Sequence, residues 1–249
     1  MKKEKRRIWQ QKNKNRLIMN ILHEQASESY ITGILLAIVG GYLDVYTYVC
    51  RGGIFANAQT GNIVLLGINI ADGNWSKLGH YIPPILAFMA GIVVAELVKK
   101  EFHNQTVIHW RQIVIALEFA VLWTIAFIPS GRYDDMINVA VSFVCSMQVE
   151  SFRTFHESSA YATTMCTGNL RSATEQLFRY NVSRDKKAIR KSFQYYGIIL
   201  FFILGAVVGT FITRLFLEKS ALVVCVLLLV VFVIMFIPPA KQDEGKKAV

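Results

Sequence analysis

The chain has 249 residues, 53% of them hydrophobic and only 18% charged, with a mean hydropathy of +0.38. A soluble domain usually carries about a quarter charged residues, spread along its length, whereas here the charges gather in a few blocks and leave long stretches almost bare. The net charge of +10 would suit nucleic acid, but Lys and Arg concentrate in Met1–Arg16, in Arg179–Lys191 and near the C-terminus. Membrane topology and anionic headgroups explain that distribution better, so no nucleic-acid partner is expected.

Residues 1–29 read as a basic cytoplasmic extension. Leu17–Leu22 is too short for the apolar core of a signal peptide, and it is interrupted by Asn20 and followed by His23-Glu24-Gln25. Met1–Arg16 is read as an amphipathic helix on the cytoplasmic leaflet. Six stretches then approach or exceed the roughly 17 to 25 apolar residues that carry a helix through a bilayer. They are Ile31–Cys50, Leu78–Val98, Gln112–Ile128, Met136–Phe152, Phe193–Leu217 and Ala221–Ile237. Pro83-Pro84 suits the first turn of its span, and Pro238-Pro239 ends the last one.

The chain repeats itself. Gln59-Thr60-Gly61-Asn62 is answered by Cys166-Thr167-Gly168-Asn169, 107 positions later. An acid precedes each T-G-N near the end of a span, Asp44 in one case and Glu150 in the other. A further match follows each: Phe88-Met-Ala-Gly91-Ile-Val-Val and Phe202-Ile-Leu-Gly205-Ala-Val-Val. Residues 30–129 and 130–239 are therefore read as two membrane repeats, with 240–249 as a cytoplasmic tail.

The apolar run after Asn62, Ile63–Ala71, covers only about half the hydrocarbon thickness at 1.5 Å per residue. Leu170–Tyr180 carries Arg171, Glu175 and Arg179, which cannot face lipid cheaply. Both segments read as re-entrant or half-helices, buried in protein or lining a wet cavity. Each repeat then crosses three times, and the two insert with opposite orientation. With the N-terminus inside, six crossings place 22 of the 27 Lys and Arg on the cytoplasmic side, against about 19 for eight crossings. The expected architecture is an all-α, multi-pass protein of the plasma membrane, with six spans, two short re-entrant helices, an inverted internal repeat and both termini cytoplasmic.

The T-G-N segments carry the chemistry. A helix N-terminus presents unpaired N–H groups, Thr and Asn can cap or coordinate, and Gly permits close approach. Two such ends meeting from opposite faces form the binding site of inverted-repeat transporters. Asp44, Gln59, Thr60, Gly61, Asn62, Glu150, Thr167, Gly168 and Asn169 are the candidate substrate-binding residues. The bland alternatives are that T-G-N caps and packs a short helix, and that Asp44 and Glu150 pair with Arg51 and Arg153. Glu118, mid-span and without an equivalent acid in the second half, carries less weight. Gly91-x-x-x-Ala95 and Gly205-x-x-x-Gly209 are close-packing patterns. Cys50, Cys145, Cys166 and Cys225 are scattered without metal-ligand spacing, and no phosphate loop or hydrolase motif is present, so neither a cofactor nor an enzyme is expected.

These residues also carry a resemblance. Gly40-Gly41-Tyr42-Leu43-Asp44, Gly52-Gly53-x-Phe55-x-x-x-Gln59-Thr60-Gly61-Asn62, Ser146-Met147-Gln148-Val149-Glu150 and Tyr161-Ala162-Thr163-Thr164-x-x-Thr167-Gly168-Asn169 resemble the YoaK-like family of bacterial multi-span membrane proteins. The likeness runs from Ile31 to Pro239 and adds Gln148 to the candidate site. Glu150 departs from it, standing where an amide is usual. The resemblance implies about six spans and no particular substrate. The expected function is a small-solute transporter or permease, the alternative a passive channel or lipid-binding scaffold, with an intramembrane lipid enzyme a distant third. The expected partners are an unidentified small molecule or ion and anionic lipids at the basic segments, with self-association left open.

Overall fold

The structure is a computed structural model that describes residues 29–102, 109–155, 159–160 and 165–236. Met1–Arg16, His103, His156, Tyr161–Thr164, Pro238-Pro239 and the tail 240–249 lie outside the described residues. Among the described residues the chain forms eight α-helices: α1 Tyr30–Cys50, α2 Gln59–Ala71, α3 Leu78–Phe102, α4 Trp110–Ile125, α5 Asp134–Ser151, α6 Cys166–Ser183, α7 Lys186–Phe216 and α8 Ala221–Ile234. Single 3₁₀ turns, Trp75–Lys77 and Leu217–Ser220, lead into α3 and α8. One minimal hairpin, absent from the all-α expectation, pairs Thr154–Phe155 with Ser159–Ala160.

Local chemistry sets several boundaries. The Ser29 hydroxyl accepts from the Thr32 N–H and starts α1. His109 and Gln112 form a reciprocal capping box that starts α4. Arg184 adopts a left-handed φ of 54° and stops α6, and Asp185 then accepts from the Lys187 N–H to open α7. The two prolines do not sit in a first turn, where the sequence led one to expect them. Because α3 begins at Leu78, Pro83 and Pro84 lie inside the helix beyond its first turn, where each removes a backbone donor.

The helices pair across the two halves. α1 runs along α7, α3 runs along α5, and α4 packs on α8. Glycines allow the close approaches. A Cβ at Gly41 would overlap the Phe202 carbonyl group of α7, and one at Gly205 would sit 2.8 Å from the Ile38 carbonyl carbon of α1. In the other pair, Gly91 of α3 meets the Phe143 carbonyl of α5. The main core is built by α1, α4, α5 and α8, with Leu36, Tyr42, Leu43, Tyr46, Leu122, Val141 and Leu228 fully buried.

Polar contacts collect at the two ends of the bundle. At one end the buried Arg51 donates to the Tyr46 hydroxyl and to the carbonyls of Ile125 and Ile128, and pairs with Asp134 at 3.2 Å. His80 contacts Asp135 and the Gly52 carbonyl at the same end, where the Ser130 N–H donates to Glu218 at 2.6 Å. That hydrogen bond holds the Glu218 carboxyl below the usual carboxylate range. At the other end the Tyr30 hydroxyl donates to the Gln194 carbonyl and Arg111 to the Ser151 carbonyl. Lys99 pairs there with Glu96 at 3.2 Å.

Between the ends the outer faces are apolar. Leu86, Met89, Val93 and Leu97 make an exposed stripe on α3, and α7 exposes Leu200, Ile203, Val207 and Phe211. Among the described residues three stretches are long and apolar enough to cross a bilayer: Tyr30–Cys50, Trp75–Phe102 and Lys186–Ile234, the last comprising α7, the turn and α8. With its apolar side chains turned outward in this way, the chain is a membrane protein.

Candidate functional site

After α1 the chain turns through Gly52 and Gly53, both at positive φ, which glycine alone adopts without strain. Residues 54–58 then fold back along α1. Asp44, buried in the last two turns of α1 and 5% exposed, receives that return: one carboxylate oxygen accepts from the N–H groups of Asn57 at 2.6 Å and Ala58 at 3.2 Å. Ala58 is the N-cap of α2 and offers no side-chain cap, so the carboxylate of a neighbouring helix does that work.

Asn62 fastens the same segment from the other side. Its side-chain oxygen accepts from the Phe55 N–H, and its amide donates to the Phe55 carbonyl at 2.8 Å and to Gln59 at 2.9 Å. Gly61 lies under the Phe55 ring, 2.9 Å from where its Cβ would stand. In this half, then, Gly61 and Asn62 shape the loop, and Thr60 is left facing outward.

Thr60 borders a cavity of about 540 Å³. Asp44, Asn57, Gln59, Cys166, Thr167 and Gly168 supply its polar or small lining, and Phe55, Phe88, Met165 and Phe202 supply apolar walls. The first turns of α2 and α6, 107 residues apart in sequence, therefore meet at one space. Unlike Gly61, Gly168 has open space where a Cβ would go. Phe88 and Phe202 are not among the residues singled out from the sequence; their place at the head of the two matching F-x-x-G patterns is the signal that could have found them.

Of the ten candidate residues, Asp44, Gln59, Thr60, Thr167 and Gly168 line the cavity. Gly61, Asn62 and Asn169 stand in the same first turns but not on its wall, Asn62 and Asn169 being buried. Gln148 and Glu150 lie elsewhere. Glu150 pairs with Arg153 at 3.7 Å, as the bland reading had it. Asp44 does not pair with Arg51, which is committed to Tyr46, Asp134 and the end of α4. Gln148 donates its side-chain amide to both oxygens of Glu118, at 3.2 and 3.1 Å, which gives the lower-weighted acid a specific partner.

The second T-G-N helix is longer than a half-helix. α6 has 18 residues, about 27 Å at the α-helical rise, against 13 for α2. Its length is sustained beside α7, where the Ser192 hydroxyl donates to the Ala173 carbonyl. Arg171 and Glu175 are exposed and pair with each other at 2.8 Å.

A curated relative, the UPF0700 transmembrane protein YoaK of Bacillus subtilis (strain 168), is 26% identical over 148 residues, or 57% of this chain. The alignment covers 64% of that relative, so the chain spans slightly less than two thirds of its length. No solved structure matches. The sequence profile of one family, described as "Protein of unknown function (DUF1275)", matches residues 32–235, nearly all of the helical region just described, and the chain belongs to that family.

Proposed function

We propose that this protein is a multi-pass carrier of the plasma membrane that binds a small solute in the cavity between α2 and α6. One observation carries the reading: the N-terminal turns of both T-G-N helices, with Thr60 and Thr167, border the same space as the buried Asp44. Its volume of about 540 Å³ falls within the ordinary range of small-molecule sites, about 300–1,000 Å³. Aromatic walls with a carboxylate and two hydroxyls suit a solute that has an apolar body and a hydrogen-bond-donating or cationic group. The role is binding and release, not catalysis.

In this reading α1, α3, α4, α5, α7 and α8 cross the bilayer, and α2 and α6 enter from opposite faces. Two observations support it. Arg51, His80, Ser130, Asp134 and Glu218 come from segments that six crossings assign to the outer side, and they meet at one end of the bundle. The helix pairing is also reciprocal, since the first helix of each half packs on the third helix of the other. Such reciprocity is what an internal two-fold produces, and the repeats would be inverted. The termini lie in the cytoplasm, and the basic segments engage anionic lipid.

The test is uptake of a panel of small amphipathic solutes into proteoliposomes holding the full chain. Each lost hydrogen bond is worth about 0.5–1.5 kcal/mol, so the Thr60→Val/Thr167→Val double variant should bind a transported solute about tenfold more weakly. A panel whose uptake matches empty liposomes, or is untouched by that variant and by Asp44→Asn, removes the carrier reading. Single cysteines at Asp72 and Arg184 should label from opposite sides; labelling from one side ends the inverted arrangement.

A further inference from the structure

Among the described residues two carboxyl groups are buried in the bundle, and of these Asp44 borders the cavity. The other, Glu118, stands midway along α4 and is 0% exposed. Among the described residues its polar contacts come from a single neutral group, the Gln148 amide on α5. The titratable groups around it are Cys145 from α5, Cys225 from α8 and, beyond Cys145, Asp44 from α1; none is a cation. One amide hydrogen bond does not offset the withdrawal of a full negative charge from water.

A neutral acid fits the same place. A carboxylic acid and a primary amide make a two-bond ring, in which the O–H donates to the amide oxygen and the N–H donates to the acid carbonyl. Rotation of the Gln148 amide about its last bond exchanges Oε1 and Nε2 and supplies that acceptor with no helix displaced. Gln148 Oε1 is buried and partnerless as it stands, so the rotation breaks no bond that it makes. A polar route also leads out: Asn57 lines the cavity, its side chain reaches the Cys145 thiol, and Cys145 lies within the field of both Asp44 and Glu118.

We propose that Glu118 is a proton-binding site, filled and emptied from the cavity past Asn57 and Cys145. A proton delivered by cavity water forms the O–H bond at Glu118 and leaves by the reverse step; no electrons change hands. The site stands on the surroundings of Glu118 alone, and its use to drive solute movement rests on the carrier reading above.

The test is infrared difference spectroscopy of the full chain in lipid bilayers between neutral and alkaline pH. A protonated-carboxyl C=O band should be present in the wild type, absent in Glu118→Gln, and shifted in frequency by Gln148→Leu, a variant that keeps the acid. The band should move on transfer to heavy water. A bulky thiol reagent on Cys166, the cysteine of the cavity wall, should slow that move several-fold, and Cys166→Ser should be indifferent to the reagent. A wild type without the band, a band kept in Glu118→Gln, or a band unmoved by Gln148→Leu overturns the site. Unchanged exchange after capping overturns the route. The readout contains no transport step, so its failure leaves the carrier reading in place, and a failed flux assay leaves the band untouched.

Discussion

Replacing Asp44 separates its geometry from its charge. One oxygen of this carboxylate accepts both the Asn57 and the Ala58 N–H, inside protein. In Asp44→Ala both donors lose their partner, at about 1–3 kcal/mol each, or about 2–6 kcal/mol together. Asp44→Asn keeps an oxygen that can accept both bonds and should lose no more than about 1–2 kcal/mol, the charge-assisted part. The loss is local, at the entry to α2, so amide hydrogen exchange of Gln59–Ile63 reports it better than global melting. A factor of ten in exchange corresponds to about 1.4 kcal/mol, so Asp44→Ala should speed these amides at least about thirtyfold and Asp44→Asn about five- to thirtyfold, always less than Asp44→Ala. Equal protection in Asp44→Ala and the wild type would refute the capping role. Equal damage in both variants would mean that the charge, and not the hydrogen bonds, holds the turn.

Three further perturbations test the packing and the bundle end. Gly41→Ala places a Cβ against the Phe202 carbonyl and 3.1 Å from the Ala206 nitrogen, an overpacking cost of about 1–3 kcal/mol, whereas Gly67→Ala on α2 meets nothing and gains up to about 1 kcal/mol of helix propensity; melting in detergent should move in opposite directions. Arg51→Met strands the Asp134 carboxylate and the carbonyls of Ile125 and Ile128, and should cost about 3–5 kcal/mol, with Arg51→Lys recovering a part. Glu218 is held below its usual range, so its contribution is present above the unfolded pKa and fades as the pH falls through the folded one. Glu218→Gln should therefore lower the melting temperature in the neutral region and converge with the wild type in acid, which flattens the acid limb.

Membrane character was legible because hydropathy is a property of stretches, and the apolar faces of α3 and α7 fall inside the stretches read from it. Thr60 and Thr167 were legible because the repeat marked them twice. Of the two acids that precede them, Asp44 lines the cavity and Glu150 does not, and the reason is angular. Asp44 precedes Thr60 by sixteen residues and Glu150 precedes Thr167 by seventeen, so at the repeat offset of 107 the counterpart of Asp44 is Ser151. One residue is about 100° of helix rotation, enough to carry Glu150 off the cavity and onto Arg153. Gln148, two residues earlier on α5, faces Glu118 instead. A linear count of spans likewise says nothing of which helix from the second half covers a mid-span acid in the first.

The reciprocal pairing of α1 with α7 and of α3 with α5 has a consequence for biogenesis. α1 and α3 each find their tight partner in the second half, so their packing is complete only once residues near Gly205 and Phe143 have been synthesised. A ribosome stalled after α4 leaves Gly41 and Gly91 as bare backbone notches open to lipid. Truncated products are therefore natural substrates for quality-control proteolysis, and two half-chains made together in one cell should rescue each other.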